Sequence, residues 1–253
     1  MRNQIPRAAA LAGAGTLLAG LAVALTAPPA SAGTEVTCPQ DNLQAAIDAA
    51  APGATIEVSG TCTGTFTITK DLTIKGQPAT TLDGGGTGIV VTVDQGATAV
   101  LDTLTIQHGN TPPGARGGGG IVNDGAVTLE DSTVSGNTAT LSHGGGIYNT
   151  GAVTLEDSTV SANTAHGGGG GIFNDSGTVT LKDSTVSANT ADGGGGIYNT
   201  GAVTLKDSTV SGNTARFAGG IANQGTVTLT DSTVSGNTPD NCTPAGSIPG
   251  CTG

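Results

Sequence analysis

The chain has 253 residues, of which 44 are glycine, 11 are proline and none is tryptophan, and its formal net charge at pH 7 is −11. That balance argues against nucleic acid and anionic membrane surfaces as partners, since both bind a basic face. So much glycine in an aperiodic chain would mark disorder, but here it recurs at fixed positions, as it does in a folded array.

Residues 1–32 read as a secretory signal peptide. Arg2 and Arg7 supply the charged start, Ala8 to Ala27 the apolar stretch, and Ala30-Ser31-Ala32 the small-residue cleavage site. Cleavage near Ala32 predicts a secreted, extracellular protein. It leaves six basic against 19 acidic residues, a net charge of −13, and no later segment suited to insertion in a membrane. Residues 33–53 form an N-terminal segment with a capping helix: Asp41 is the expected N-cap, Leu43, Ala46, Ile47 and Ala50 make one apolar stripe, and Pro52-Gly53 ends it.

Residues 54–238 read as one parallel β-helix. Early coils are degenerate, as in Phe66-Thr67-Ile68 and Leu104-Thr105-Ile106. From Gly125 the stretch GAVTLEDSTVSGNT recurs five times in all, with Asp131, Asp157, Asp183, Asp207 and Asp231 spaced by 26, 26, 24 and 24 residues. A fixed period in this range marks a solenoid. Each period holds three short runs with period-2 alternation between turn formers, which read as strands. In one copy Val153, Leu155, Val160 and Ile172 are expected to point inward and Thr154, Thr159, Ser161 and Phe173 outward. The fold class is therefore all-β, seven or eight coils stacked into a rod about 35 to 40 Å long at one strand spacing per coil. Two asparagine columns, Asn137 to Asn237 and Asn123 to Asn223, are expected to hydrogen-bond from coil to coil.

Residues 239–253 form a short tail. Four cysteines in an exported chain are expected to pair, and three connectivities are open. Cys38 with Cys62 and Cys242 with Cys251 is favoured, because each pair sits at one end of the rod.

The GGGI-[YF]-N and STVS-[GA]-N elements from Gly117 to Thr238 resemble the GGA-[ILV] and F-x-x-N repeats of the polymorphic outer-membrane-protein family. That family lies within the right-handed parallel β-helix superfamily that also holds pectate lyases. LQAAIDAAAPGATIEV resembles the opening segment of many such proteins. The resemblance implies a right-handed helix and a secreted or surface-displayed adhesin. Here no Phe stands at the first position of F-x-x-N, and no translocator barrel follows.

Four surface features could carry function. Tyr148, Phe173 and Tyr198 occupy one position on successive coils and are candidate ligand platforms, although stacked rings spend their faces on one another. Glu130, Asp131, Glu156 and Asp157 form a carboxylate patch suited to calcium, whereas each Asp of the D-S-T corner is otherwise expected to accept backbone N–H groups in a local turn. The Thr-x-Ser ranks from Thr133/Ser135 to Thr233/Ser235 could order water or ice. Loops such as Thr138 to His143 emerge at one corner, where solenoids diversify binding.

No catalytic set is assigned. Lys182 and Arg216 are the basic residues nearest the later aspartates, and Gln107-His108-Gly109-Asn110 is only a shadow of a hydrolase motif. The expected function is that of a monomeric, secreted, non-catalytic β-helix surface or adhesion protein binding a polysaccharide or cell-surface ligand. The alternatives are a polysaccharide lyase or hydrolase and the water-ordering array.

Overall fold

A computed structural model describes residues 33–252. The expected signal segment and its cleavage site lie outside the described residues. The rest winds into an all-parallel β-solenoid of about eight coils with one short helix near its start. Three long sheets run along it. The first has nine strands from Thr34–Thr37 to Thr226–Thr230, the second eight from Thr61–Thr63 to Thr233–Ser235, and the third eight from Phe66–Ile68 to Cys242–Thr243.

Stacking is in register, so like sits on like. Val127, Val153, Val179, Val203 and Val227 form one column and Leu129, Leu155, Leu181, Leu205 and Leu229 another. With the Val134 and Ile121 columns they fill the interior. Short strands alternate because each runs straight for only a few residues before a corner, and a one-residue slip would turn every aliphatic side chain outward.

The corners carry the polar ties. Asn163 is fully buried, donates from Nδ2 to the Val134 carbonyl and to Asn189 Oδ1, and accepts on its own Oδ1 from the Asn137 backbone and side chain. The same pattern repeats up to Asn237, where Asn241 Oδ1 seals the column. A second corner is held by serines. The Ser158 hydroxyl donates to the Leu129 and Glu156 carbonyls and accepts the Ser132 backbone N–H.

That serine column corrects the turn expected of the aspartates. Asp131, Asp157, Asp183, Asp207 and Asp231 sit at φ +47° to +51°, and their exposed carboxylates take none of the backbone hydrogen bonds at this corner. The position calls for a residue that tolerates the left-handed conformation, which Asp does.

Three further differences stand out. Asn42, not Asp41, caps the helix Leu43–Ala49, because its side chain accepts the Ala45 N–H at 3.0 Å while Asp41 accepts from Thr37. A fourth small sheet, Thr138–Ala139 to Thr214–Phe217, lines the corner expected to be loop. Its strands, of two to four residues, carry no alternating aliphatic side chains that would mark them in the sequence. At the C-terminal end Ile248, isolated among Pro and Gly, is buried in the core.

The ends are closed as well as capped. Leu43 and Ile47 cover the first coil, and the Gln44 amide pairs with both the N–H and the C=O of Thr67, so the third sheet's first strand offers no free edge there. Disulfides Cys38–Cys62 and Cys242–Cys251 join Cα atoms 5.0 and 6.3 Å apart, the pairing expected from their places at the two ends. No helix among the described residues is long and apolar enough to cross a membrane.

Replacing Asn163 by Ala removes the acceptor of the buried Asn137 backbone N–H and the side-chain donor to the Val134 carbonyl, and it breaks the amide ladder to Asn137 and Asn189. We expect it to lower unfolding stability by about 3 kcal/mol, and Ser161→Ala, on the outward face, by less than about 0.5 kcal/mol. Urea unfolding of both variants measures the difference.

Candidate functional site

The corner where the third sheet meets the glycine runs holds the aromatic column. Val122, Tyr148, Phe173, Tyr198 and Ala222 are successive register partners on neighbouring strands. Ring centroids are 5.5 Å apart from Tyr148 to Phe173 and 5.0 Å from Phe173 to Tyr198, with interplanar angles of 9° and 14°. Glycine makes this stack possible: a Cβ on Gly168 would lie 2.8 Å from Tyr198 Cδ2 and 3.2 Å from Phe173 Cε2.

The three rings are not equivalent. Tyr148 is only 5% exposed. Phe173 covers one face, the Arg116 guanidinium lies 5.9 Å from its centroid, and its hydroxyl donates to Asp175 Oδ2 at 2.7 Å. The Arg116 loop is fixed in turn by the Asp124 carboxylate at 2.5 Å and by the Ser142 hydroxyl on the Arg116 carbonyl. Burial first, then the bond to Asp175, pushes the Tyr148 phenol up to about 12. Tyr148 is thus no ligand platform, a correction that rests on a loop residue one coil earlier reaching over the ring.

Phe173 is likewise closed, by Tyr148, Tyr198 and the His143 ring at 4.5 Å. His143 Nδ1 accepts the Gly168 N–H, and burial lowers the imidazole's pKa against an opposing pull from Asp175. Tyr198 differs. Phe173 covers one face, but Ala222 follows it in the column, and beyond Ala222 comes Thr243. The result is a cleft of about 350 Å³ bordered by Tyr198, Phe217, Ala222 and Pro244.

The carboxylate patch does not form a metal cage. Glu130 and Glu156 are register partners, but Lys182 on the following strand reaches back to Glu156 Oε1 at 2.5 Å, so a cation lies within the patch. Asp131 and Asp157 sit exposed at the left-handed corner. Among the described residues no group of three or more His, Cys, Asp or Glu side chains is placed to hold an ion.

Nor do the basic candidates meet. Lys182 is engaged with Glu156 on the first sheet, while Arg216 lies over Phe217 at the corner. Sequence reasoning missed one contact here: His108 Nδ1 lies 2.9 Å from Asp83 Oδ2, and Gln107 and the Gly85 N–H bind the same carboxylate. Burial raises the Asp83 pKa, but these bonds outweigh it and hold the carboxyl below its ordinary value. The signal was the separation of 25 residues, about one coil. The Thr-x-Ser ranks do stack in register along the second sheet, from Thr133 and Ser135 to Thr233 and Ser235.

The description "right handed beta helix region" matches residues 54–243. The chain belongs to the right-handed β-helix family. No curated protein and no solved structure matches it significantly. This β-helix therefore takes its fold from the family and must have its function argued from its own side chains.

Since the folded Tyr148 phenol is raised above its unfolded value, its contribution to stability is complete below about pH 10 and is lost as the pH climbs toward 12. A near-ultraviolet absorbance titration should resolve one late-ionising tyrosine. Tyr148→Phe should remove that step together with the loss of stability over the same interval.

Proposed function

We propose that this protein is an exported, non-catalytic β-helix that presents a carbohydrate-binding corner to polysaccharide or cell-surface glycan. The observation that carries the reading is the end of the aromatic column: Tyr198, fixed from one side by the rings stacked beneath it on a rigid scaffold, keeps its other face open beside the loops that vary most from coil to coil. Aromatic side chains supply apolar area with fixed geometry, and sugars present C–H faces that match it. Rigid neighbours limit the ordering cost of binding.

Two further features support export. The four cysteines are paired at the two ends, as suits an oxidising compartment, and residues 1–32 have the composition of a signal peptide. Likeness to polymorphic outer-membrane-protein repeats supports surface display. The acidic balance, −13 for the mature chain, favours neutral over polyanionic glycans.

The test incubates the purified mature chain with insoluble neutral and uronate polysaccharides and records protein depletion and fragment release together. Depletion by a neutral polysaccharide without fragments is expected. Release of fragments would overturn the non-catalytic reading, and no depletion across the panel would overturn carbohydrate binding.

A further inference from the structure

Columns in this solenoid end in different ways. The Asn137 column is sealed at its last member by Asn241. The Asn123 column is not. Asn123, Asn149, Asn174 and Asn199 each donate from Nδ2 to the next coil's Oδ1, at 2.8 to 2.9 Å. Asn223 is the last. It is 7% exposed, and its Nδ2 has no acceptor among the described residues.

The aromatic column stops one coil earlier. Tyr198 is followed by Ala222, so the position where a fourth ring would stack holds only a methyl group. Asn223 and the open face of Tyr198 both border the 350 Å³ cleft. Such a volume is at the small end of ligand pockets, which run from about 300 to 1,000 Å³.

We propose that this cleft is a binding site for one neutral pyranose ring of a glycan, seated on Tyr198 in the place the next aromatic of the column would take. The inference rests on the carbohydrate-binding reading above and narrows it to one site. Its chemistry follows from the lining. No charged side chain lines the cleft itself, and the Arg216 guanidinium is engaged over the Phe217 ring, so the floor offers a uronate or phosphorylated ligand no charged partner. The apolar floor is the Tyr198 face and the Ala222 methyl, with Phe217, two-thirds exposed, as a side wall.

Polar groups stand at the rim. The Asn223 Nδ2 needs an acceptor, Thr243 carries a hydroxyl, and the Gln224 amide is held in place by donating to the Tyr198 hydroxyl at 2.5 Å. A sugar offers an apolar C–H face to the floor and hydroxyls to the rim. An aromatic side chain of a peptide would satisfy the floor and leave the Asn223 donor unpaired in a buried place, which is costly.

The chain has two tyrosines and no tryptophan, so in a Tyr148→Phe background Tyr198 is the only emitter. Tyr148→Phe keeps the ring beneath Phe173, and methyl glycosides of glucose, galactose, mannose and N-acetylglucosamine are then titrated, with methyl glucuronoside as the charged control. A saturable change in Tyr198 emission with a neutral glycoside is expected. Ala222→Phe, which fills the vacancy in register, should weaken binding by at least about tenfold while leaving the melting temperature unchanged or higher. Phe217→Ala, at an exposed wall, should weaken it by a few-fold and does not depend on packing a new ring.

If the parent depletes onto polysaccharide and both variants deplete equally well, the cleft proposal falls while carbohydrate binding stands. If neither polysaccharide nor glycoside engages the parent, both fall. Preference for the glucuronoside would overturn the neutral class.

Discussion

Each coil of a parallel solenoid must turn corners, and at each corner the backbone loses the strand partners that satisfy its N–H and C=O groups elsewhere. This constraint governs the sequence. Asn163 and its stacked equivalents answer it by placing an amide inside the corner, where it bonds a carbonyl of one coil and the amide of the next. Ser158 and its equivalents do the same with a hydroxyl. These side chains work only when the neighbour is identical, because the donor of one is the partner of the acceptor of the next. Aliphatic positions tolerate exchange of similar volume. The strictness of the repeat is therefore a hydrogen-bonding requirement before it is a packing one.

The features legible in the sequence were those that repeat. The coil period, the inward Val, Leu and Ile columns and the stacked asparagines could all be read because a column multiplies a weak local signal. What went unread depends on single residues or on neighbours across coils. Asp41 and Asn42 are adjacent and both are good caps, so pattern alone does not choose between them. The D-S dipeptide offered two polar ties, and the left-handed backbone at Asp assigns the task to Ser. Lys182 was visible in the charge column one coil beyond Glu156, yet its length lets it reach back into the patch and neutralise it. The burial of Tyr148 depends on Arg116, whose loop has no counterpart in the repeat.

The charges along the first sheet follow the same logic of neighbours. Lys75 pairs with Asp102 at 2.6 Å and Lys182 with Glu156, each between adjacent coils rather than within one. Exposed pairs of this kind contribute little stability. Their effect is local: Asp102, Glu130 and Glu156 are stacked in one column, where like charges directly opposite are unfavourable, and Lys75 and Lys182 stand at the two ends of that run. The junction of degenerate and regular coils therefore carries a like-charged pair, Asp102 opposite Glu130, relieved by one lysine on either side.

A ladder of identical groups has a direction and two ends, and the ends are where its requirements are unmet. At the start of the Asn123 column the preceding partner is Val93, which has no donor, and the buried Asn123 Oδ1 is left without a hydrogen bond. At the other end Asn223 retains a donor. The two ends differ in access. The first is enclosed by coils on both sides, so nothing from outside can reach it, and the orphaned acceptor is a fixed cost of beginning the column. The last lies beside a cleft, next to a ring whose outer face is open. A solenoid spends most of its polar and aromatic groups on its own neighbours, so recognition belongs where a column stops short of the scaffold that carries it. Here the aromatic column stops one coil before the amide column, whose last coil is still covered above by Cys242–Thr243. An interior vacancy at the edge of a capped rod is the arrangement that leaves hydrogen-bonding and stacking capacity together in reach of a ligand.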